Sequence, residues 1–471
     1  MTLKELQAMA KKNNAEFIDI KFTDLVGRMR HVTLPIESLS EKLFEHGVGV
    51  DGSSITGFAK VKAGDMLLIA DKTTAFMDPF WQYPTLSFLG DVVEVANGVR
   101  PFSRNPRSVA SRAEEYLKKS GIADDSVWGP EFEFYLFTSV AFHQGSDSGY
   151  YFIDSDEAEW NTGSDEEGNS GYQIPYKRGY HAAPPSDQTF GIRSEMSMTL
   201  KSLGVPLKYH HHEVGGVSQQ EIEIGFGTLL ESADRAMIVK YVVKNTALRH
   251  GITATFMPKP MYNEPGSGMH FHQYLRKDGK SKFYNAKADL KLSDIGRYYI
   301  GGLLKHAPAI LCFSSPSTNS YKRLVPGFEA PIRGTYSVGN RSAAIRIPGY
   351  QLDTSTYRCE FRPPDATCNP YLTLAAMLLA GLDGIKNKID PGDECRDDLT
   401  ALPPEKLDKI PVLPTSLQHA IWALKQDHEF LLAGDVFSND LIDEWIRMKQ
   451  EETDAIRLRP HPYEYSLYYN C

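Results

Sequence analysis

Apolar and polar positions alternate along several short stretches of this chain, and in the most telling of them the polar members are acids. Glu131-Phe132-Glu133-Phe134-Tyr135-Leu136-Phe137 has the period of a strand. Successive strand side chains point to opposite faces, so Glu131 and Glu133 share one face, about 7 Å apart at Cα. Glu221-Ile222-Glu223-Ile224 repeats the pattern, Glu213 follows His210-His211-His212, and Glu360 sits in Cys359-Glu360-Phe361-Arg362. Residues 16–23 and 66–70 also read as strands, with turns at Gly27 and Gly52. Helix signals punctuate the rest. Thr2-Leu3-Lys4-Glu5 is a capping box opening a short amphipathic helix. Asn105-Pro106 supplies a cap and a first-turn proline for a helix that Gly121 closes. Residues 233–249 are helix-like, Asn369-Pro370 opens a helix to about Lys388, and Asn439-Asp440 starts a last helix ending before Pro460. The stretch 145–172, rich in Gly, Ser, Asp and Glu, reads as a surface loop. This order of elements predicts an α+β fold with a mostly antiparallel sheet, divided into a small domain over 1–103 and a larger one over 104–471.

Composition narrows the classes. The chain has 471 residues, 41% hydrophobic and 24% charged, ordinary for a globular protein. A net charge of −9 argues against nonspecific nucleic-acid binding. No apolar run is long enough to span a bilayer, and the N-terminus lacks a secretory hydrophobic segment. Five cysteines, odd in number and without C-x-x-C spacing, read as free thiols of a reducing cytoplasm.

Acids set among large apolar residues repel one another unless a cation gathers them, and a multi-metal site is the simplest candidate. Each piece alone has a plainer reading. Glu131 and Glu133 could face solvent on a strand, although their aromatic neighbours argue against it. The histidine run could be a polar strand end or part of a zinc site. Gly266-Ser267-Gly268-Met269-His270-Phe271-His272 could be a hairpin turn. Arg323, Arg341, Arg346, Arg358 and Arg362 could each be a surface cation. Together they suggest carboxylate-bound divalent metals opposite arginines, the layout for phosphoryl transfer from a nucleotide. Oxygen ligands with an occasional imidazole favour Mg²⁺ or Mn²⁺. No Walker-type glycine loop is present.

These motifs, taken in order, resemble bacterial type I glutamine synthetases. The resemblance runs through Asp51-Gly52-Ser53-Ser54-Ile55, Gly129-Pro130-Glu131-Phe132-Glu133-Phe134 and His210-His211-His212-Glu213-Val214. It continues through Ala254-Thr255-Phe256-Met257-Pro258-Lys259-Pro260, Gly266-Ser267-Gly268-Met269-His270 and Asn319-Ser320-Tyr321-Lys322-Arg323. Asn340-Arg341-Ser342 and Ala380-Gly381-Leu382-Asp383-Gly384 complete it. It implies a β-grasp-like N-terminal domain and a catalytic domain built on a curved antiparallel sheet flanked by helices. It implies ligation of ammonia to glutamate, with ATP as co-substrate and at least two Mg²⁺ or Mn²⁺ ions per active site.

The resemblance also carries residue roles. One metal falls to Glu133, Glu213 and Glu221, the other to Glu131, His270 and Glu360. Arg323 and Arg362, with Gly266 and Gly268, fall to the substrate. Arg341, Arg346 and Arg358, with Phe226 and His272, fall to the nucleotide. Asp51, given by a neighbouring subunit, and Glu329 are the catalytic acids beside Arg341. The implied assembly is a homo-oligomer, a dodecamer of two stacked hexameric rings, and the segment 459–469 resembles the tail that locks the rings. The chain departs from the pattern at three places. Thr400 stands where adenylylated members carry tyrosine, which predicts no adenylylation there. Pro265 stands where Asn is frequent, and Ser355 where some members are basic. Two other readings remain: a sister ligase of the same fold acting on another amine, such as a polyamine, and a non-catalytic relative.

Overall fold

A computed structural model describes residues 1–58, 64–95, 98–165, 169–328, 330–397, 399 and 402–471. Glu329 and Thr400, both singled out above, lie outside the described residues.

The N-terminal sheet runs in the order Met29–Pro35, Phe17–Thr23, Thr85–Glu94, Asp65–Ala70, Val48–Asp51. Its two central strands, Phe17–Thr23 and Thr85–Glu94, are parallel and the outer pairings antiparallel, a β-grasp arrangement. The helix Leu3–Lys12 buries Leu6 and Ala10 and carries the expected capping box at Thr2. Two polar junctions tie this sheet to the rest of the chain. Arg107, at the start of the helix Pro106–Ser120, bonds Asp71 (2.8 Å) and Asp91 (2.7 Å) on one side and Asp234 (2.9 Å) on the other. Asn369 donates to the carbonyls of Asp24 and Leu25, both at 3.1 Å.

The larger sheet has the path Leu207–His212, Gln219–Ile224, Asp125–Phe137, Phe271–Lys277, Cys359–Phe361, Ala343–Ile347, Arg333–Val338. All pairings along it are antiparallel except the last, which is parallel. One face is apolar. Phe132, Phe134, Ile222 and Ile224 are buried there, each worth roughly 2 kcal/mol of burial. The helices Leu229–Arg249, Asp294–Ser314 and Pro370–Asn387 supply the rest of this core. The other face carries the acids.

Several elements differ from the sequence reading. The helix expected over 233–249 starts a turn earlier, at Leu229, because Glu231 accepts the Thr228 N–H (3.2 Å) and caps it. The stretch 145–172 is not all loop: Gly149–Asp154 pairs with Ser139–Gln144 as a hairpin. The helix Asn439–Arg457 is not the last, since Pro462–Tyr468 forms another, capped through His461 and Glu464. Among the described residues no helix is long and apolar enough to cross a membrane. The five cysteines are unpaired, and Cys312, Cys359 and Cys368 are buried.

Candidate active site

Strand register, rather than sequence proximity, assembles the acidic face. Glu221 lies opposite Glu133 and Glu223 opposite Glu131, so four carboxylates form a two-by-two array on paired strands. On the other flank Glu131 N–H bonds the His270 carbonyl (3.0 Å), which brings that imidazole beside the array. The next pairing sets His272 opposite Glu360, and the one after sets Arg346 opposite Glu360. Among the described residues three groups of donor atoms each lie within 4.8 Å of one another: Glu131 with His270 and Glu360, His211 with Glu213 and Glu221, and Glu131 with Glu221 and Glu223.

The two sides of this cluster are electrostatically unlike. Glu360 is fully buried between Arg362 (2.6 Å) and Arg346 (2.8 Å), with His270 at 3.3 Å. Burial would raise its carboxyl, but Arg362 and His270 hold it well below the carboxylate range. Glu131 behaves alike: burial opposes ionisation, and His272 at 2.7 Å with His270 at 3.3 Å overcomes it. The other side has no such compensation. Burial first, then Glu133, pushes Glu213 up to about 7. Burial first, then Glu131, Glu213 and Glu133, raises Glu221 far above its ordinary value. Glu223 is raised too, by burial and Glu131, even though Lys208 and Tyr209 both bond it. Burial lowers His211, which keeps that imidazole neutral and available as a ligand.

The structure therefore brings Glu131, Glu133, Glu213, Glu221, His270 and Glu360 into one cluster. Glu133 sits somewhat apart from the Glu213–Glu221 pair: its carboxylate accepts the Gly268 N–H at 2.8 Å, and His211 takes its place in the tight donor group. Donors of carboxylate and imidazole without thiolate suit Mg²⁺ or Mn²⁺, and the raised acids on one side are the charge such ions would neutralise. Gly266 and Gly268 pack against Arg323 so closely that a Cβ at either would lie 2.6 and 2.5 Å from its side chain. Arg323 in turn meets His270 (3.1 Å) and the Pro363 carbonyl (2.8 Å). Phe226, His272 and Arg358 gather on the other side: Arg358 lies over the Phe226 ring at 5.2 Å, and the Phe226 and His272 rings are 6.3 Å apart.

Among the described residues, the buried Nε–H donors of Arg346, Arg358 and Arg362 and the ring nitrogen Nδ1 of His272 have no protein partner. Three orphaned guanidinium donors around one acidic cluster fit an anionic, acceptor-rich ligand such as a nucleotide phosphate chain. Two expected residues are exposed. Arg341 is exposed in the turn between Arg333–Val338 and Ala343–Ile347. Asp51 is exposed on the N-terminal sheet, and among the described residues its carboxylate bonds Ser53 (2.9 and 2.7 Å) and Ser54 (2.8 Å). Glu329 lies outside the described residues. The sequence reading placed Glu223 among the gathered acids and His211 in a histidine run that could be part of a zinc site, without assigning either to an ion, and gave no role to Lys208 or Tyr209. Alternation did signal that His211 faces with Glu213 and Glu223 with Glu221; the cross-strand partners that give them meaning are tertiary.

Comparison with known proteins gives a consistent result. Residues 14–95 match the family model "Glutamine synthetase, beta-Grasp domain" and residues 103–468 match "Glutamine synthetase, catalytic domain". The chain is 49% identical to a glutamine synthetase of Frankia alni over 98% of its length and 97% of that protein. It is 48% identical to one from Nostoc sp. over 100% and 99% of the two chains. A cryo-electron-microscopy structure of Plasmodium falciparum glutamine synthetase superposes with a TM-score of 0.90 at 30% identity, covering 99% of each chain.

The raised acids set a pH dependence. Glu213 in the folded, metal-free chain titrates near 7 against 4.5 for the unperturbed group. The folded state holds the extra proton between those values, so stability falls as pH rises through that window. Adding Mg²⁺ to chelator-treated protein is expected to raise the melting temperature more at about pH 8 than at about pH 6. An equal or smaller rise at the higher pH contradicts the assignment.

Proposed function

The chain belongs to the glutamine synthetase family, as a glutamate–ammonia ligase, and from that premise we propose that it works through a γ-glutamyl phosphate at a two-cation site shared between subunits. The observation that carries this reading is the cluster of buried carboxylates with uncompensated charge facing orphaned arginine donors. Glu131, His270 and Glu360 would hold one cation, and Glu133, Glu213 and Glu221 the other, with His211 placed to assist. Bound there, Mg²⁺ or Mn²⁺ would neutralise phosphate oxygens of ATP and draw in the amino-acid carboxylate.

The chain's own residues account for the remaining demands. A carboxylate is a poor electrophile, so the γ-carboxylate of glutamate must first be phosphorylated. Arg346, Arg358 and Arg341 supply fixed positive charge for the transferring phosphoryl group, which needs positioning and electrostatic stabilisation more than covalent help. Phe226 and His272 flank the nucleotide. Arg323 and Arg362, with the loop at Gly266 and Gly268, orient glutamate, and the glycines leave the room that Arg323 occupies. Ammonium is no nucleophile until it loses a proton. Asp51 takes it, and its exposure on the N-terminal sheet, separate from the sheet that carries the acids, favours a role at a neighbour's site. Glu329 shields the intermediate from water. We assign the domain boundary to 103/104 and the enzyme to the cytoplasm, where its free thiols stay reduced. Thr400 in place of tyrosine leaves no adenylylation acceptor there.

A shared site needs an oligomer, and the surface supports one. The tail helix Pro462–Tyr468 exposes Tyr463, Tyr465, Leu467 and Tyr468, and the hairpin exposes Phe142 and Phe152 at 80% and 67%. Beside them lies an apolar groove of about 1390 Å³ lined by Phe137, Ile153, Met261, Tyr321, Val325 and Phe328. A second copy's tail in that groove would join two six-membered rings.

Two experiments test these readings. Glu360→Gln should lower ADP release with glutamate and ammonium by about 100-fold or more, and Asp51→Asn should act chiefly on the ammonium dependence. Hybrid oligomers of the two variants should regain activity, because some sites then combine an intact Asp51 with an intact Glu360. Hybrids no better than the parents would contradict a shared site, and turnover with an amine but not with ammonium would move the chain to the sister ligases. Removing residues 459–471 should yield a smaller particle by light scattering; an unchanged mass refutes the locking role.

A further inference from the structure

A second cavity, of about 790 Å³, lies behind the catalytic sheet. It is walled by the turn at Gly27, by Met237 to Asn245 of the helix Leu229–Arg249, by residues 254–258 and by Ser317. Phe256 in its wall packs on Phe134, with ring centroids 5.4 Å apart. Phe134 points away from Glu131 and Glu133, so the cavity is on the opposite face of the sheet from the acids.

Its charge is one-sided. Arg28, Lys240, Lys244 and Lys449 line it against Glu452, and Lys449 already pairs with Glu452 at 2.8 Å. The nearby Asp24 is taken by Arg30 at 3.0 Å. Lys240 is 9% exposed, and its ammonium donates to the Cys368 carbonyl at 3.1 Å. Among the described residues no carboxylate lies within ion-pair distance of Lys240, Lys244 or the Arg28 side chain. Burial is the main force lowering Lys240 and Lys244; Lys244 adds to it at Lys240, where Cys368 and Asp365 oppose it, and Arg28 adds to it at Lys244, so three cations converge with no ion-paired carboxylate among the described residues. A buried ammonium with one carbonyl acceptor among the described residues can donate two further hydrogen bonds, which an anion in the cavity would accept.

We infer that this cavity binds a small oxyanion, a phosphate-bearing or carboxylate-bearing molecule, between Lys240, Lys244 and Arg28. The volume is that of a small-molecule site, and the Asn245 amide, with one N–H used on the Tyr241 carbonyl, has a second N–H to donate in its wall. The site is separate from the catalytic cluster, and none of the three cations has a part in the reaction described above.

Calorimetric titration of the full-length assembly tests it, with the catalytic sites first filled by Mg²⁺, ADP and glutamate. Inorganic phosphate and succinate serve as separate probes. At least one should bind once per chain, and Lys244→Gln or Arg28→Gln should weaken that binding by about tenfold or more. Both variants should keep wild-type turnover and melting temperature. Phosphate binding alone identifies a phosphoryl ligand, succinate binding alone a carboxylate ligand, and binding of both a general oxyanion site. No binding of either probe, or binding that neither substitution weakens, overturns the inference.

Discussion

Like charges held close together inside a protein are the constraint on which this structure turns. Glu131, Glu133, Glu221 and Glu223 face one another across a single pair of strands, and Glu213 and Glu360 close in from either side. Their proximity is imposed by antiparallel register, which cannot be relaxed by one residue without turning every side chain to the other face. The chain compensates only part of this charge. Arg346, Arg362, His270 and His272 stabilise Glu360 and Glu131, while Glu213 and Glu221 remain protonated or in need of a cation. A fold that spends stability in this way retains an electrostatic demand that divalent ions and a polyphosphate are suited to meet.

Rigidity behind the acids makes that demand specific. Phe132, Phe134, Ile222 and Ile224 anchor the opposite face of the same strands in a close-packed core, so the carboxylates cannot drift apart to lower their repulsion. The loop at Gly266 and Gly268 is fixed just as firmly. Tyr135 donates to the Pro265 carbonyl at 2.7 Å, Gln219 to the Gly266 carbonyl at 3.0 Å, and Gly268 to Glu133 at 2.8 Å. Proline at 265 costs this loop no hydrogen bond through its missing N–H, because its contribution is its carbonyl.

Local signals were legible and partnerships were not. Alternation placed Glu131 with Glu133 and Glu221 with Glu223, and cap residues located the helices that begin at Pro106 and Pro370, because both effects act within a few residues. The hairpin Gly149–Asp154 was hidden by turn-rich composition, and the tail helix by the proline that in fact begins it. The metal-site residues were named through resemblance, since no spacing rule links Glu131 to Glu360. The compensating cations on Glu360, the Lys208 and Tyr209 bonds to Glu223, and His211 beside Glu221 depend on strand order, which a single sequence does not encode locally. The basic cavity was illegible for the same reason: Arg28 and Lys240 come from distant segments.

The central claim is that the clustered acids exist to hold divalent cations. Electron paramagnetic resonance of Mn²⁺ titrated into chelator-treated protein measures this directly. The account predicts two tightly held ions per chain, with one lost in Glu221→Gln and the other in Glu360→Gln. Mn²⁺ that stays free in solution, or binding indifferent to both substitutions, would contradict it.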